Sequence, residues 1–159
     1  GMDDRTHKKL GTPPSWAECL KPMAMPVQEF LSKLHCLLPI NGGARENWPR
    51  AGLEAMAAGV PIVAQNAWGW REMIEHGVTG FLGNCDEELA HYAALLAYDE
   101  GLRMRIIHAA QKRLVNEFAN SEKISSAWQE LFRNISPENR LPACTAGAKI
   151  VPTAVHTSS

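Results

Sequence analysis

The chain has 159 residues, 45% of them hydrophobic and 21% charged, with a formal net charge of −1. This is the make-up of an ordinary globular domain, long enough to bury a real core, and the near-neutral charge gives no general drive toward nucleic acid or a membrane surface. No apolar run approaches the ~18 residues of a membrane-spanning helix, and four scattered cysteines (Cys19, Cys36, Cys85, Cys144) without Cys-x-x-Cys spacing argue for idle thiols rather than a zinc site or a disulfide framework.

Residues 1–25 are polar and interrupted by Pro13, Pro14 and Pro22. They read as a linker or edge-covering segment, with a short helix expected near Ser15 to Leu20. Pro26 suits the first position of a helix. Val27, Phe30, Leu31 and Leu34 then recur at i, i+3, i+4 and i+7, the stripe of an amphipathic helix. The apolar run from His35 to Ile40 predicts a buried strand, and Asn41-Gly42-Gly43-Ala44-Arg45 a loop. A helix is expected from about Pro49 until Gly59, which suits the left-handed closing position.

Val60 to Gln65 is rich in β-branched residues and predicts a second strand. Asn66 to Gly69 reads as a loop, Trp70 to His76 as a short helix closed by Gly77, and Gly80 to Gly83 as a third strand. Asp86 is placed to cap a helix whose apolar stripe is Leu89, Tyr92, Ala93 and Leu96. Asp99 caps the next helix, running to about Phe118. Ser121 opens a last one, bearing Ile124, Trp128, Leu131 and Ile135. After Pro137 the chain is a tail rich in Ala, Thr, Pro and Ser, expected to be disordered or packed on the surface. The domain therefore spans 26–136, with a linker before it and a tail, 137–159, after it.

Alternation of strand and helix predicts an α/β fold with a partial Rossmann-like parallel sheet of about three core strands and flanking helices. In such sheets ligands bind beyond the carboxyl ends of the strands. Both the loop from Asn41 to Trp48 and the loop from Asn66 to Gly69 fall at that edge. The first contains Glu46, and Glu54 follows with seven residues between them, around a predicted helix start. A helix N-terminus favours anions, while carboxylates accept hydrogen bonds from hydroxyls. A ligand with hydroxyls at both ends and phosphate between them suits this arrangement. From Pro49 to Glu54 a helix rises about 7.5 Å, compatible with a diphosphate between the two carboxylates.

The stretch Glu46 … Glu54-Ala55-Met56-Ala57, then Gly59-Val60-Pro61-Ile62-Val63, with Gly69 ahead of Glu72 and Gly77-Val78-Thr79-Gly80-Phe81-Leu82 beyond, resembles the acidic motif of retaining GT-B glycosyltransferases of family four (glycosyl transferases group 1). The resemblance covers roughly Val27 to Ile135. It implies half of a GT-B C-terminal, donor-binding domain. It also implies a transferase moving sugar from a nucleotide-diphosphate sugar to a saccharide or lipid acceptor, as in polysaccharide biosynthesis.

By position, the resemblance gives Glu46 the catalytic role facing the donor hexose and Glu54 the ribose hydroxyls. Amides near Trp48 to Ala51 would meet the phosphate. The donor-binding set is then Glu46, Asn47, Trp48, Pro49, Arg50 and Glu54. The chain departs from the family pattern in Asn47-Trp48-Pro49, where the family often has Gly-Phe-Gly, and Pro49 has no N–H to donate. Arg50 is a candidate charge partner, and Arg45 shares that status with less support. Trp68 stands where the family commonly has Gly; it lines the crevice or covers the sheet end, and covering is the expected role.

The family's Arg and Lys that neutralise the diphosphate are not found before Val27. The chain alone is therefore expected to be catalytically silent. The alternative is a truncated, non-enzymatic nucleotide-binding or interaction module with a decayed site. No metal or other cofactor is implied, the nucleotide sugar being a substrate. The expected partners are that donor and either the missing N-terminal half or a second copy of the chain. A polar N-terminus shows no signal peptide. The expected location is the cytoplasm, at the inner membrane face if the acceptor is a lipid.

Overall fold

The computed structural model describes Lys8, residues 11–39 and residues 45–135, and at its centre lies a short parallel sheet. Strand β1 (Val63–Gln65) pairs with β2 (Phe81–Gly83) in the register Val63 to Phe81, Ala64 to Leu82 and Gln65 to Gly83. The pairing extends past the strand ends through Phe81 N–H to the Ile62 carbonyl and Asn66 N–H to the Gly83 carbonyl, both 2.8 Å. On the other side of β1, Leu37 makes a single parallel bridge to Ile62. The strand expected over His35 to Ile40 is thus reduced to that one bridge among the described residues. The loop expected at Asn41 to Ala44 lies outside them.

Helices flank the sheet in chain order: α1 (Val27–Ser32), α2 (Arg50–Ala58), α3 (Gly69–Met73), α4 (Asp86–Tyr98) and α5 (Glu100–Arg113), the last continuing into a π-helical turn at Leu114–Phe118. The period-two alternation of a strand sorts the core onto two faces. On one, Ile62, Ala64 and Leu82 pack with Ala55 and Met56 of α2, Trp70 and Met73 of α3, and Ala110 of α5. On the other, Val63 and Phe81 pack with Leu89 and Leu96 of α4 and Ile106 of α5. Fully burying one such aliphatic side chain contributes about 1.5–3 kcal/mol.

Local chemistry accounts for most boundaries. Gly59 closes α2 at φ 73°, in the left-handed region as expected. Asp99 caps α5, its carboxylate accepting from the Leu102 N–H at 2.8 Å. Two expectations are corrected. Ser15 to Leu20 is not a helix: only a turn forms, with Ala17 N–H bonded to the Pro14 carbonyl. That segment is too short to nucleate a helix on its own. Asp86 is not the cap of α4 but its first helical residue, Cys85 occupying the cap position. Glu88 reaches back to accept from the Asn84 N–H at 2.7 Å and starts the turn one residue earlier.

The chain divides into two units after Asn120, a point inside the span 26–136. In the second unit α6 (Ser121–Asn134) is amphipathic, and Ile124, Trp128, Leu131 and Phe132 of its apolar stripe are exposed. Among the described residues no helix is long and apolar enough to cross a membrane.

Candidate functional site

Two loops meet at the carboxyl edge of the sheet. The Gly69 N–H donates to the Glu46 carbonyl at 2.9 Å, tying the segment ahead of α2 to the loop that leaves β1. The approach is so close that a Cβ on Gly69 would run into the Asn47 carbonyl and sit 3.0 Å from that of Glu46. This explains a glycine there without appeal to its φ. A Cβ on Gly52, on α2, would likewise run into the Met73 sulfur and sit 2.9 Å from the Trp70 ring. Loop, α2 and α3 thus form one packed assembly.

Glu46 is half-buried and Asn47 exposed. Trp48 is 40% exposed, and its ring meets Phe118 edge-on at 5.2 Å. Phe118 comes from the π-helical turn, an insertion that re-aims side chains. Its other neighbour is Arg113, whose guanidinium lies 5.1 Å from the ring, donates to the Glu72 carbonyl and pairs with Glu117 at 3.0 Å. Pro49 is buried at the N-cap position, one residue earlier than a first helical place, at φ −74° and ψ 100°. Arg50 is the first residue of α2 and is exposed. Glu54 is exposed one turn on and lines a groove of about 260 Å³ with Val27, Gln28, Leu31, Ala57 and Ala58. Among the described residues no hydrogen bond or ion pair engages the Glu46, Glu54 or Arg50 side chains.

Trp68 is 48% exposed. Its backbone sits at φ 51°, ψ −142°, a region that side chains other than glycine's rarely adopt. Holding a residue there costs about 1–3 kcal/mol and persists only when the surroundings impose it. The imposing contact is next door, at Gly69. The Arg45 guanidinium lies over the Trp68 indole, 4.6 Å from its centroid. Sequence spacing could not have paired Arg45 with Trp68, because they belong to different loops. The only signal was a tryptophan where glycine was expected.

A second cavity at the same edge, about 210 Å³, is lined by Gln65, Asn66 and Ala67 after β1 and by Asn84, Cys85 and Asp86 after β2. Asn66 and Asn84 bridge it with a 2.9 Å side-chain hydrogen bond. Among the described residues no group of three or more His, Cys, Asp or Glu is placed to hold a metal ion.

Comparison with known proteins matches residues 26–113 to the model of the glycosyl transferases group 1 family. N-acetyl-alpha-D-glucosaminyl L-malate synthase of Bacillus anthracis is 31% identical over 116 residues, which is 72% of this chain and 30% of that protein. The capsular polysaccharide biosynthesis glycosyltransferase CapM of Staphylococcus aureus is 32% identical over 89 residues, 55% of this chain and 22% of that protein. The chain thus spans under a third of the length of these relatives. Among solved structures, HepE of Anabaena in complex with UDP-glucose superposes with a TM-score of 0.57 at 27% identity, covering 65% of this chain and 30% of HepE.

Proposed function

The chain belongs to the glycosyl transferases group 1 family, and from that premise we propose that it carries the donor-binding part of a retaining GT-B transferase that moves a sugar from a nucleotide-diphosphate sugar to a saccharide or lipid acceptor. Polysaccharide biosynthesis is the role to which the named work of CapM, and of the amylovoran transferase AmsK of Erwinia amylovora, points. The cytoplasm, at the inner membrane face for a lipid acceptor, is the site of action in this reading.

In this reading Glu46 faces the donor sugar, Glu54 binds the ribose hydroxyls, and free amides of the first turn of α2 meet the distal phosphate. Pro49 is excluded as a donor, having no N–H. Asn47 and Trp48 shape the approach, and Arg50 is a charge partner. The observation that supports the reading most is the Gly69 to Glu46 hydrogen bond, which fixes the acidic loop at the carboxyl edge of a parallel sheet, where ligands of such sheets bind. A phosphate with its sugar on one side and ribose on the other spans about the one helical turn from Arg50 to Glu54, roughly 6 Å.

Calorimetric titration of the chain with UDP, GDP and UDP-glucose tests this. Binding of a nucleotide, weakened by Glu54→Ala, is the expected result. A chain that binds none of them is instead a module with a decayed site. The chain alone is expected to bind without transferring sugar, and specific transfer in an assay of these 159 residues would overturn that part.

A further inference from the structure

Resting on that reading, we propose that Arg45, parked on the indole of Trp68, is the cation that receives the donor's diphosphate beside Glu46. A diphosphate entering this site meets two carboxylates, Glu46 and Glu54, and needs a compensating positive group nearby. A guanidinium stacked on an aromatic ring uses only its flat faces. Its N–H donors lie in the plane of the group and remain free for a bidentate grip on phosphate oxygens. The Arg45 guanidinium carbon lies over the Trp68 ring, 4.6 Å from its centroid, and no hydrogen bond or ion pair engages its N–H groups among the described residues.

The neighbouring arginines are otherwise engaged. Arg113 pairs with Glu117, and Arg71 donates its Nε to the Asn66 carbonyl at 2.8 Å. No carboxylate lies within ion-pair distance of Arg45 among the described residues. Arg50 is exposed with nothing to aim it, whereas Arg45 rests over the Trp68 ring. The Trp68 backbone sits at positive φ, and the next residue, Gly69, is tied to the Glu46 carbonyl at 2.9 Å. The strained backbone of Trp68 therefore has a use: it delivers a cation perch from the β1 loop to the residue preceding Glu46. Trp68 is a positioning residue and Arg45 a binding one.

The test is calorimetry of the full chain with UDP and GDP, using Arg45→Ala, Arg45→Lys, Trp68→Gly, the double variant Arg45→Ala/Trp68→Gly, and Arg105→Ala as a remote control for charge. Thermal melts confirm that each variant folds. Arg45→Ala should weaken nucleotide binding about ten- to hundredfold, by a margin that narrows as salt is raised. Arg45→Lys should recover only part of it, because an ammonium lacks the planar fork. Trp68→Gly should also weaken binding, and should add little to Arg45→Ala in the double variant. Arg105→Ala should bind as the native chain does.

The inference is overturned if Arg45→Ala binds normally, if Arg105→Ala weakens binding equally, or if the two loop changes add in full. A native chain that binds neither nucleotide overturns the donor-binding reading itself, and this inference with it. The two failures are therefore distinguishable by the behaviour of the unmodified protein.

Discussion

The N–H of Gly69 and the carbonyl of Glu46, 2.9 Å apart, join the two loops on which the site is built. That contact holds the Glu46 loop against the residue that follows Trp68, at the start of α3.

Gly69→Ala should therefore be far more damaging than a one-carbon change suggests. The added Cβ would collide with the Asn47 carbonyl, a backbone atom that cannot rotate away. Overpacking of this kind costs about 1–3 kcal/mol. Denaturant titration should show a loss in that range, and calorimetry should show nucleotide binding abolished. Native-like stability together with native-like binding would mean that the loops are not pressed together.

Glu46→Ala and Glu54→Ala should do the opposite, harming ligand binding while sparing the fold. Neither carboxylate has an internal partner among the described residues, so stability should change by no more than about 0.5 kcal/mol. Loss of the one or two ribose hydrogen bonds proposed for Glu54 should, in Glu54→Ala, weaken nucleotide binding about tenfold. Glu46→Ala should weaken UDP-glucose more than UDP, since its proposed contact is with the sugar.

Asp99→Ala removes the acceptor for the Leu102 N–H at the start of α5. Such caps contribute about 1 kcal/mol. A drop of that size in chemical denaturation, without change in nucleotide affinity, is expected because the cap supports α5 and not the loops. Asp99→Asn should retain most of the stability.

Cysteine labelling offers a check on the core. Burial pushes the Cys36 thiol above its ordinary range, whereas Cys19 and Cys85 are exposed. Mass spectrometry after limited alkylation at mildly alkaline pH should find Cys19 and Cys85 modified well before Cys36. The sign for stability follows. The folded state holds the Cys36 proton more tightly, so its contribution is full below the ordinary thiol range and is lost as pH rises through the raised value. Equal labelling of all three would contradict the packing of Cys36 against the Val63 and Phe81 face.

Much of this protein was legible in its residues. The β-branched run before Gln65, the stripe of Leu89, Tyr92 and Leu96, the cap at Asp99 and the closing Gly59 are local signals. Periodicity, capping chemistry and left-handed glycine act within a few residues, so the helices and the parallel alternation follow from the sequence, and with them the edge where Glu46 lies. Shorter decisions depended on neighbours. Whether His35 to Ile40 pairs along its length or at one residue is set by what β1 offers, and Leu37 alone bridges to Ile62 among the described residues.

The details of the site belonged to the tertiary structure. That Trp68 stands out with an arginine on its ring, that Phe118 backs Trp48, and that Gly69 has no room for a Cβ all arise from contacts between segments far apart in the chain. Such contacts leave no periodic trace, because a side chain's partner across a loop is chosen by where the backbones are brought together. The acidic motif by itself raised the expectation of a hydroxyl- and phosphate-bearing ligand at this edge. Only the packing of the two loops placed Arg45 over the Trp68 ring beside it, because the two residues belong to segments brought together by the fold.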